Sequence, residues 1–143
     1  MDRALYVAGS VPFVALGLTH VVLTLMDIVS RPRHFAPRDR DLIAGMKAST
    51  LALTKATTMW NAWLGFNLSH GLGVLLFGLG GLYVSALHFD RFAADMRAVL
   101  YAMPVTALLY YLMSVRYWFR VPTIGTAAGA VLLTVGAVVM TLP

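Results

Sequence analysis

The sequence predicts an all-α integral membrane protein, a four-helix bundle whose helices cross the bilayer up-down-up-down. Hydrophobic residues make up 59% of the 143 residues and charged residues only 12%, whereas soluble domains average roughly 25% charged residues. Four long stretches contain no charged residue, and charged connections separate them. A soluble core has no room for so much apolar surface, but a bilayer does.

Three of the uncharged stretches match the length of a membrane-spanning helix, which needs about 20 apolar residues. The second stretch, Ala56–Phe89, is longer than a span needs, so only part of it is predicted to cross the bilayer. Trp60 and Trp63 stand near the start of the second span, where aromatic residues commonly mark the membrane interface. Short links follow the second and third spans, and such links join antiparallel neighbours in bundles. Within a single membrane domain, the predicted spans cover about residues 4–28, 59–83, 98–118 and 121–142.

The connection between the first two spans, about residues 30–55, is strongly basic. Cytoplasmic loops of membrane proteins carry an excess of Lys and Arg, so this segment is predicted to lie in the cytoplasm with both termini outside. The net charge of +5 therefore indicates topology in a cytoplasmic membrane rather than nucleic-acid binding, and the lipid bilayer is the expected partner. The basic residues of this segment are Arg31, Arg33, Arg38, Arg40, Lys47 and Lys55.

A short amphipathic helix is predicted inside this basic segment. Asp39 and Asp41 are suited to cap its first turn. Such a helix lies on the inner leaflet or leads into the second span, where its basic residues can contact anionic headgroups. The apolar residues that follow at roughly helical spacing are Leu42, Ile43, Met46 and Leu53.

Cysteine and glutamate are both absent from the sequence, and this limits the chemistry that the chain can perform. Without cysteine there are no disulfides, thiolate metal sites or thiol redox reactions. Without glutamate, a di-iron carboxylate bundle or a two-carboxylate mechanism has few residues to work with.

Polar residues recur on one face of each of the first three spans, at spacings of three and four residues. Polar side chains inside a span are costly and usually face the bundle interior. At 1.5 Å per residue, His20 and Asn67 lie at nearly the same depth, with His70 about one turn deeper. The predicted pocket residues are His20 and Thr24, then Trp60, Trp63, Asn67, Ser69 and His70, then Tyr110 and Ser114.

Three roles remain open for this polar layer. The first is interhelical hydrogen bonding, which commonly links membrane helices. The second is a haem or another metal ligated by His20 and His70, although their one-turn offset makes a bis-histidine haem awkward and no cofactor is predicted. The third is a pocket for a small ligand or for catalysis.

Asp27 lies at the end of the first span, where a carboxylate normally finds a partner or water. Arg31 follows it one turn later, and Arg116 ends the third span. An ion pair with one of these two arginines is therefore the expected environment of Asp27, and the alternative is a carboxylate at the mouth of the polar face.

The fourth span contains small residues in place of a polar face, including Gly125-x-x-x-Gly129. Small residues at this spacing let helices approach closely, either inside one bundle or between subunits. Packing within the bundle and association with a second copy or another membrane subunit are both consistent with Gly125 and Gly129.

The second span resembles a family of small bacterial four-span membrane proteins of unknown function. The resemblance is carried by Trp60-x4-Gly65-Phe66-Asn67-x-Ser69-His70-Gly71, and by His20 and Phe35-Ala36-Pro37 before it. It implies a bacterial inner-membrane location and singles out Trp60, Asn67, Ser69 and His70. It implies no activity.

The expected function is therefore stated only by class. The chain is predicted to bind a small apolar or amphipathic ligand in an intramembrane polar pocket, or to act as a subunit of a membrane complex. The alternatives are a membrane enzyme that uses His70 or His20 as acid and base on a lipid-soluble substrate, and a haem-binding redox subunit.

Overall fold

A computed structural model of the protein describes residues 1–142, which form six helices and one β-hairpin. Four of the helices are long and apolar enough to cross a membrane, so the chain is a multi-pass membrane protein with the predicted all-α bundle fold. The elements in chain order are α1 (Asp2–Val29), α2 (Arg40–Ala48), β1 (Thr50–Leu51), β2 (Thr54–Thr58), α3 (Met59–Leu87), α4 (Phe89–Asp95), α5 (Arg97–Tyr117) and α6 (Arg120–Thr141).

The connection between α1 and α3 contains more structure than an amphipathic helix. Asp39 caps α2 as expected, because its carboxylate accepts a hydrogen bond of 2.9 Å from the N–H of Asp41. The helix ends at Ala48, however, and the prediction that Leu53 belongs to it is wrong. Leu53 lies in the turn between β1 and β2, which pair antiparallel. The threonine-rich sequence from Thr54 favours a strand, since β-branched residues fit a pleated surface.

The chain divides into two compact units that share α1 and α3. The first unit comprises residues 1–16 and the chain from Val74 onward. Its core is fully buried at Tyr6, Phe13, Leu100 and Leu133. The second unit, Gly17–Gly73, contains the C-terminal half of α1, then α2, the hairpin and the N-terminal part of α3.

Within the first unit, α6 packs closely against α1. A Cβ atom at Gly125 would lie 2.8 Å from the Leu16 side chain, and one at Gly129 would lie 2.9 Å from the carbonyl oxygen of Gly9. Both glycines therefore allow close helix packing inside the bundle, which is one of the two roles that the sequence left open.

Tyr6 compensates for a hydrogen bond that Pro104 removes from α5. Proline has no N–H, so the carbonyl of Leu100, four residues earlier, loses its helical partner. The buried hydroxyl of Tyr6 donates to this carbonyl oxygen at 3.0 Å. The sequence alone predicts the free carbonyl, but only the fold shows which residue satisfies it.

Tyr6→Phe is expected to destabilise the protein by about 1–3 kcal/mol, because it leaves a buried carbonyl oxygen without a donor. The free energy of unfolding in detergent, followed by circular dichroism, measures the loss. In a Pro104→Ala background the helix supplies its own N–H, so Tyr6→Phe should cost clearly less there. An equal cost in both backgrounds would mean that the hydroxyl does not act through the Leu100 carbonyl.

Candidate functional site

His20 of α1 and His70 of α3 are in direct ring contact within the second unit. Their centroids are 5.2 Å apart and their planes meet at 73°, an edge-to-face arrangement. Gly71 makes this approach possible, because a Cβ atom there would lie 3.0 Å from Cδ2 of His20 and 3.1 Å from the backbone nitrogen of Val21. The two histidines, which the sequence places about one turn apart in depth, thus meet at the close crossing of α1 and α3.

Asn67 joins the histidine pair from one turn earlier on α3. Its side chain is 4% exposed and donates through Nδ2 to the carbonyl oxygen of Trp63 at 2.8 Å. The Asn67 amide also interacts with the His20 imidazole. Because Asn67 and His70 are three residues apart on α3, both lie on the helix face that meets His20.

Phe35, from the connection after α1, covers one face of His20. The two rings stack with centroids 4.2 Å apart and an interplanar angle of 23°. The indole Nε1 of Trp63 donates to the carbonyl oxygen of Phe35 at 3.0 Å. Residues 33–35, called the covering loop below, are thereby attached to α3 as well as to α1.

Asp27 fixes the covering loop to the end of α1. The Asp27 side chain is 1% exposed, and its carboxylate accepts backbone hydrogen bonds from Arg33 at 2.9 Å, His34 at 3.1 Å and Phe35 at 2.8 Å. It also contacts Nδ1 of His34 at 2.8 Å. One buried carboxylate therefore has four nitrogen partners, and bonds to an ionised acceptor are the stronger kind.

Arg31 and Arg116, the two predicted partners of Asp27, have surroundings that do not include its carboxylate. Arg31 is exposed beyond the end of α1. The guanidinium of Arg116 lies 5.2 Å from the centre of the Tyr117 ring. The main-chain amides and His34 supply the hydrogen bonds that the carboxylate of Asp27 accepts.

Three other predicted pocket residues of the second unit are engaged locally. The hydroxyl of Thr24 is buried and donates to the carbonyl oxygen of His20 at 2.8 Å. Trp60 is buried, with Nζ of Lys47 5.7 Å from its ring centre. Ser69 is exposed and donates to the Phe66 carbonyl at 3.0 Å. The Thr24 and Ser69 hydroxyls therefore donate to backbone carbonyls of their own helices, α1 and α3.

Tyr110 and Ser114 belong to the first unit. Tyr110 contacts the rings of Phe13 and Phe77, each with centroids 5.9 Å away. The hydroxyl of Ser114 lies 2.9 Å from that of Thr126 on α6. The contacts described for these two residues are therefore with the core and with α6 of the same unit.

His34 and Phe35 are site residues that the periodicity of the spans does not identify. Both lie in an irregular connection, where the path of the chain rather than a helical repeat decides which side chains meet. Phe35 had one signal, since it begins the Phe35-Ala36-Pro37 part of the family resemblance. The sequence carried no comparable signal for the contact between His34 and Asp27.

The geometry bears on the possible cofactors. Two axial histidines of a haem must leave room for the porphyrin between them, and the rings of His20 and His70 touch directly. Among residues 1–142, no group of three or more His, Cys, Asp or Glu side chains could hold a metal ion. What the site offers is hydrogen bonding from imidazole and amide groups beside exposed and stacked aromatic rings.

Comparison with known proteins supplies no relative from which a role could be transferred. No protein-family model, curated protein or solved structure matches this chain. The specific role of this multi-pass membrane protein must therefore be inferred from its own residues.

Proposed function

We propose that the protein binds a small lipid-soluble molecule, with a polar planar head group at His70 and an apolar body in the bilayer. The observation that carries the proposal is the contact of His20 with His70, with Asn67 buried beside them, inside two spans. Polar groups at such a depth are costly, and in membrane proteins they commonly mark binding or transport sites.

The accessible side of the pair is that of His70. Phe35 covers His20, whereas Phe66, one turn before His70 on α3, is 61% exposed. The rings of Phe66 and His70 are almost parallel, with an interplanar angle of 9° and centroids 6.1 Å apart. Phe66 and His70 together therefore present two nearly parallel ring faces, and the His70 imidazole can also form a hydrogen bond.

This combination favours one chemical class of ligand. A planar ring can stack on aromatic side chains, and a carbonyl or hydroxyl on that ring can bond to an imidazole nitrogen. An apolar tail would remain in the hydrocarbon that surrounds the exposed Phe66. Quinones with an isoprenoid or alkyl tail belong to this class.

His70→Leu is expected to weaken binding of decylubiquinone roughly tenfold. A net hydrogen bond contributes about 0.5–1.5 kcal/mol and ring stacking a similar amount, and each 1.4 kcal/mol changes Kd by a factor of ten. Saturable quenching of tryptophan fluorescence in detergent micelles measures Kd. Trp63 can report binding because it lies close to the proposed site, one helical turn before Asn67 and two before His70 on α3.

The matched control is His88→Leu, which removes the histidine that contacts Tyr83 at the end of α3 and should leave Kd unchanged. Decanol has the tail without the planar ring and should not compete. Equal Kd values for His70→Leu and the unmodified protein, with both folded by circular dichroism, would contradict the proposed site.

A further inference from the structure

We propose that the connection from Ser30 to Thr58, called the basic connector below, docks on the anionic phospholipid headgroups of the membrane that the chain spans. The inference concerns a surface rather than the pocket at His70, and it does not depend on the ligand proposed there.

The basic connector is kept at the membrane surface by its two ends. It follows the last residue of α1, Val29, and precedes the first residue of α3, Met59, and both of these helices are long enough to span the bilayer. Consecutive spans place this connection on one side of the membrane. A hydrogen bond also joins the connector to the start of α3, since the N–H of Met59 donates to the carbonyl oxygen of Ser49 at 2.9 Å.

The exposed charge of the connector is strongly positive. Asp39 and Asp41 are its only acidic residues, against six basic ones, so its net charge is +4. Neither of the two salt bridges within residues 1–142 involves any of the six. All six side chains are exposed: Arg31, Arg33, Arg38, Arg40, Lys47 and Lys55.

The connector also exposes large apolar side chains beside these charges. Leu53, in the turn of the hairpin, is 93% exposed, and Leu42 on α2 is 53% exposed. Peripheral segments bind membranes through buried apolar area together with attraction to anionic lipids. A leucine at a hairpin tip fits insertion among headgroups, whereas a soluble acidic partner or nucleic acid would use only the charges.

The absence of cysteine from the chain allows a direct test. A Leu53→Cys variant carries a single environment-sensitive nitrobenzoxadiazole dye, and the protein is placed in nanodiscs of phosphatidylcholine alone or mixed equally with phosphatidylglycerol. We expect blue-shifted emission, at least twofold brighter, in the anionic discs. High salt should remove the difference, because charge attraction to lipid headgroups is screened.

Two further samples give the control and the alternative source of phosphate. A dye at Thr141→Cys, an exposed position at the end of α6, should emit equally in both kinds of disc. Inorganic phosphate added to neutral discs should have no effect, and a shift there would assign the surface to free phosphate instead.

The charge dependence is tested by combining Arg31→Gln, Arg33→Gln, Arg38→Gln and Arg40→Gln with the labelled Leu53→Cys protein. These side chains are exposed, so the fold should persist while the response to anionic lipid falls at least twofold. Identical emission of the labelled, otherwise unmodified protein in neutral and anionic discs at low salt would overturn the proposal.

Discussion

Asp27→Ala is expected to release the covering loop from the end of α1. The substitution removes the acceptor of three backbone N–H groups and of the His34 ring. Hydrogen bonds to charged groups contribute about 1.5–3 kcal/mol each, so losing even two of them weakens the loop by about 3 kcal/mol. The loop lies at a span end, where its freed amides can reach water, so it should open locally while the spans stay folded.

Hydrogen exchange measures this opening at the amides of residues 33–35. A loss of about 3 kcal/mol corresponds to roughly a hundredfold faster exchange, because each 1.4 kcal/mol is a factor of ten. Asp27→Asn retains one acceptor oxygen, so its exchange rate at these amides should lie between those of the unmodified protein and Asp27→Ala. Unchanged exchange at these amides in Asp27→Ala would show that Trp63 alone holds the loop.

Asp39→Ala is the matched control for this experiment. It removes a carboxylate that accepts one hydrogen bond, from the N–H of Asp41 at the start of α2. Loss of such an N-cap costs about 1 kcal/mol, and the effect should stay within α2. The two aspartates, twelve positions apart in the chain, should thus perturb different segments.

An open covering loop would also change the candidate site. Phe35 would leave its stacked position on His20, and water could reach an imidazole that is now 9% exposed. If the ligand occupies the side of His70, its affinity should change less in Asp27→Ala than in His70→Leu. The comparison separates the role of the loop from that of the histidine pair.

The spans and the histidine layer could be predicted from sequence because both depend on repetitive local geometry. A helix in a bilayer needs an unbroken apolar stretch, and the four uncharged stretches become α1, α3, α5 and α6. The rise of 1.5 Å per residue placed His20 and Asn67 at nearly the same depth, and both residues are buried in the second unit.

The environment of Asp27 could not be predicted in this way. Its partners come from an irregular segment, whose path follows no period and depends on where the chain leaves α1. Sequence spacing pointed to Arg31, one turn away, but the amides of the covering loop reach the carboxylate. Similarly, nothing in the spacing of Leu53 shows that the helix ends at Ala48 and that a hairpin follows.

Gly78→Val is expected to be the most destabilising single change in the bundle of the first unit. A Cβ atom at Gly78 would lie 2.5 Å from the backbone nitrogen of Val14 and 2.9 Å from the carbonyl carbon of Phe13. These are backbone atoms of α1, which cannot rotate away as a side chain can. The helices must therefore separate, at a cost that for overpacked cores is typically about 1–3 kcal/mol and occasionally more.

Gly80→Val, two positions along the same helix, provides the control. A Cβ atom there meets no other atom within 4 Å, and replacing a helical glycine removes a conformational penalty of about 0.5–1 kcal/mol relative to alanine. Unfolding in detergent by titration with sodium dodecyl sulfate should thus show a large loss for Gly78→Val and little change for Gly80→Val. Equal stability of the two variants would mean that α1 and α3 do not approach each other as closely as Gly78 and Val14 indicate.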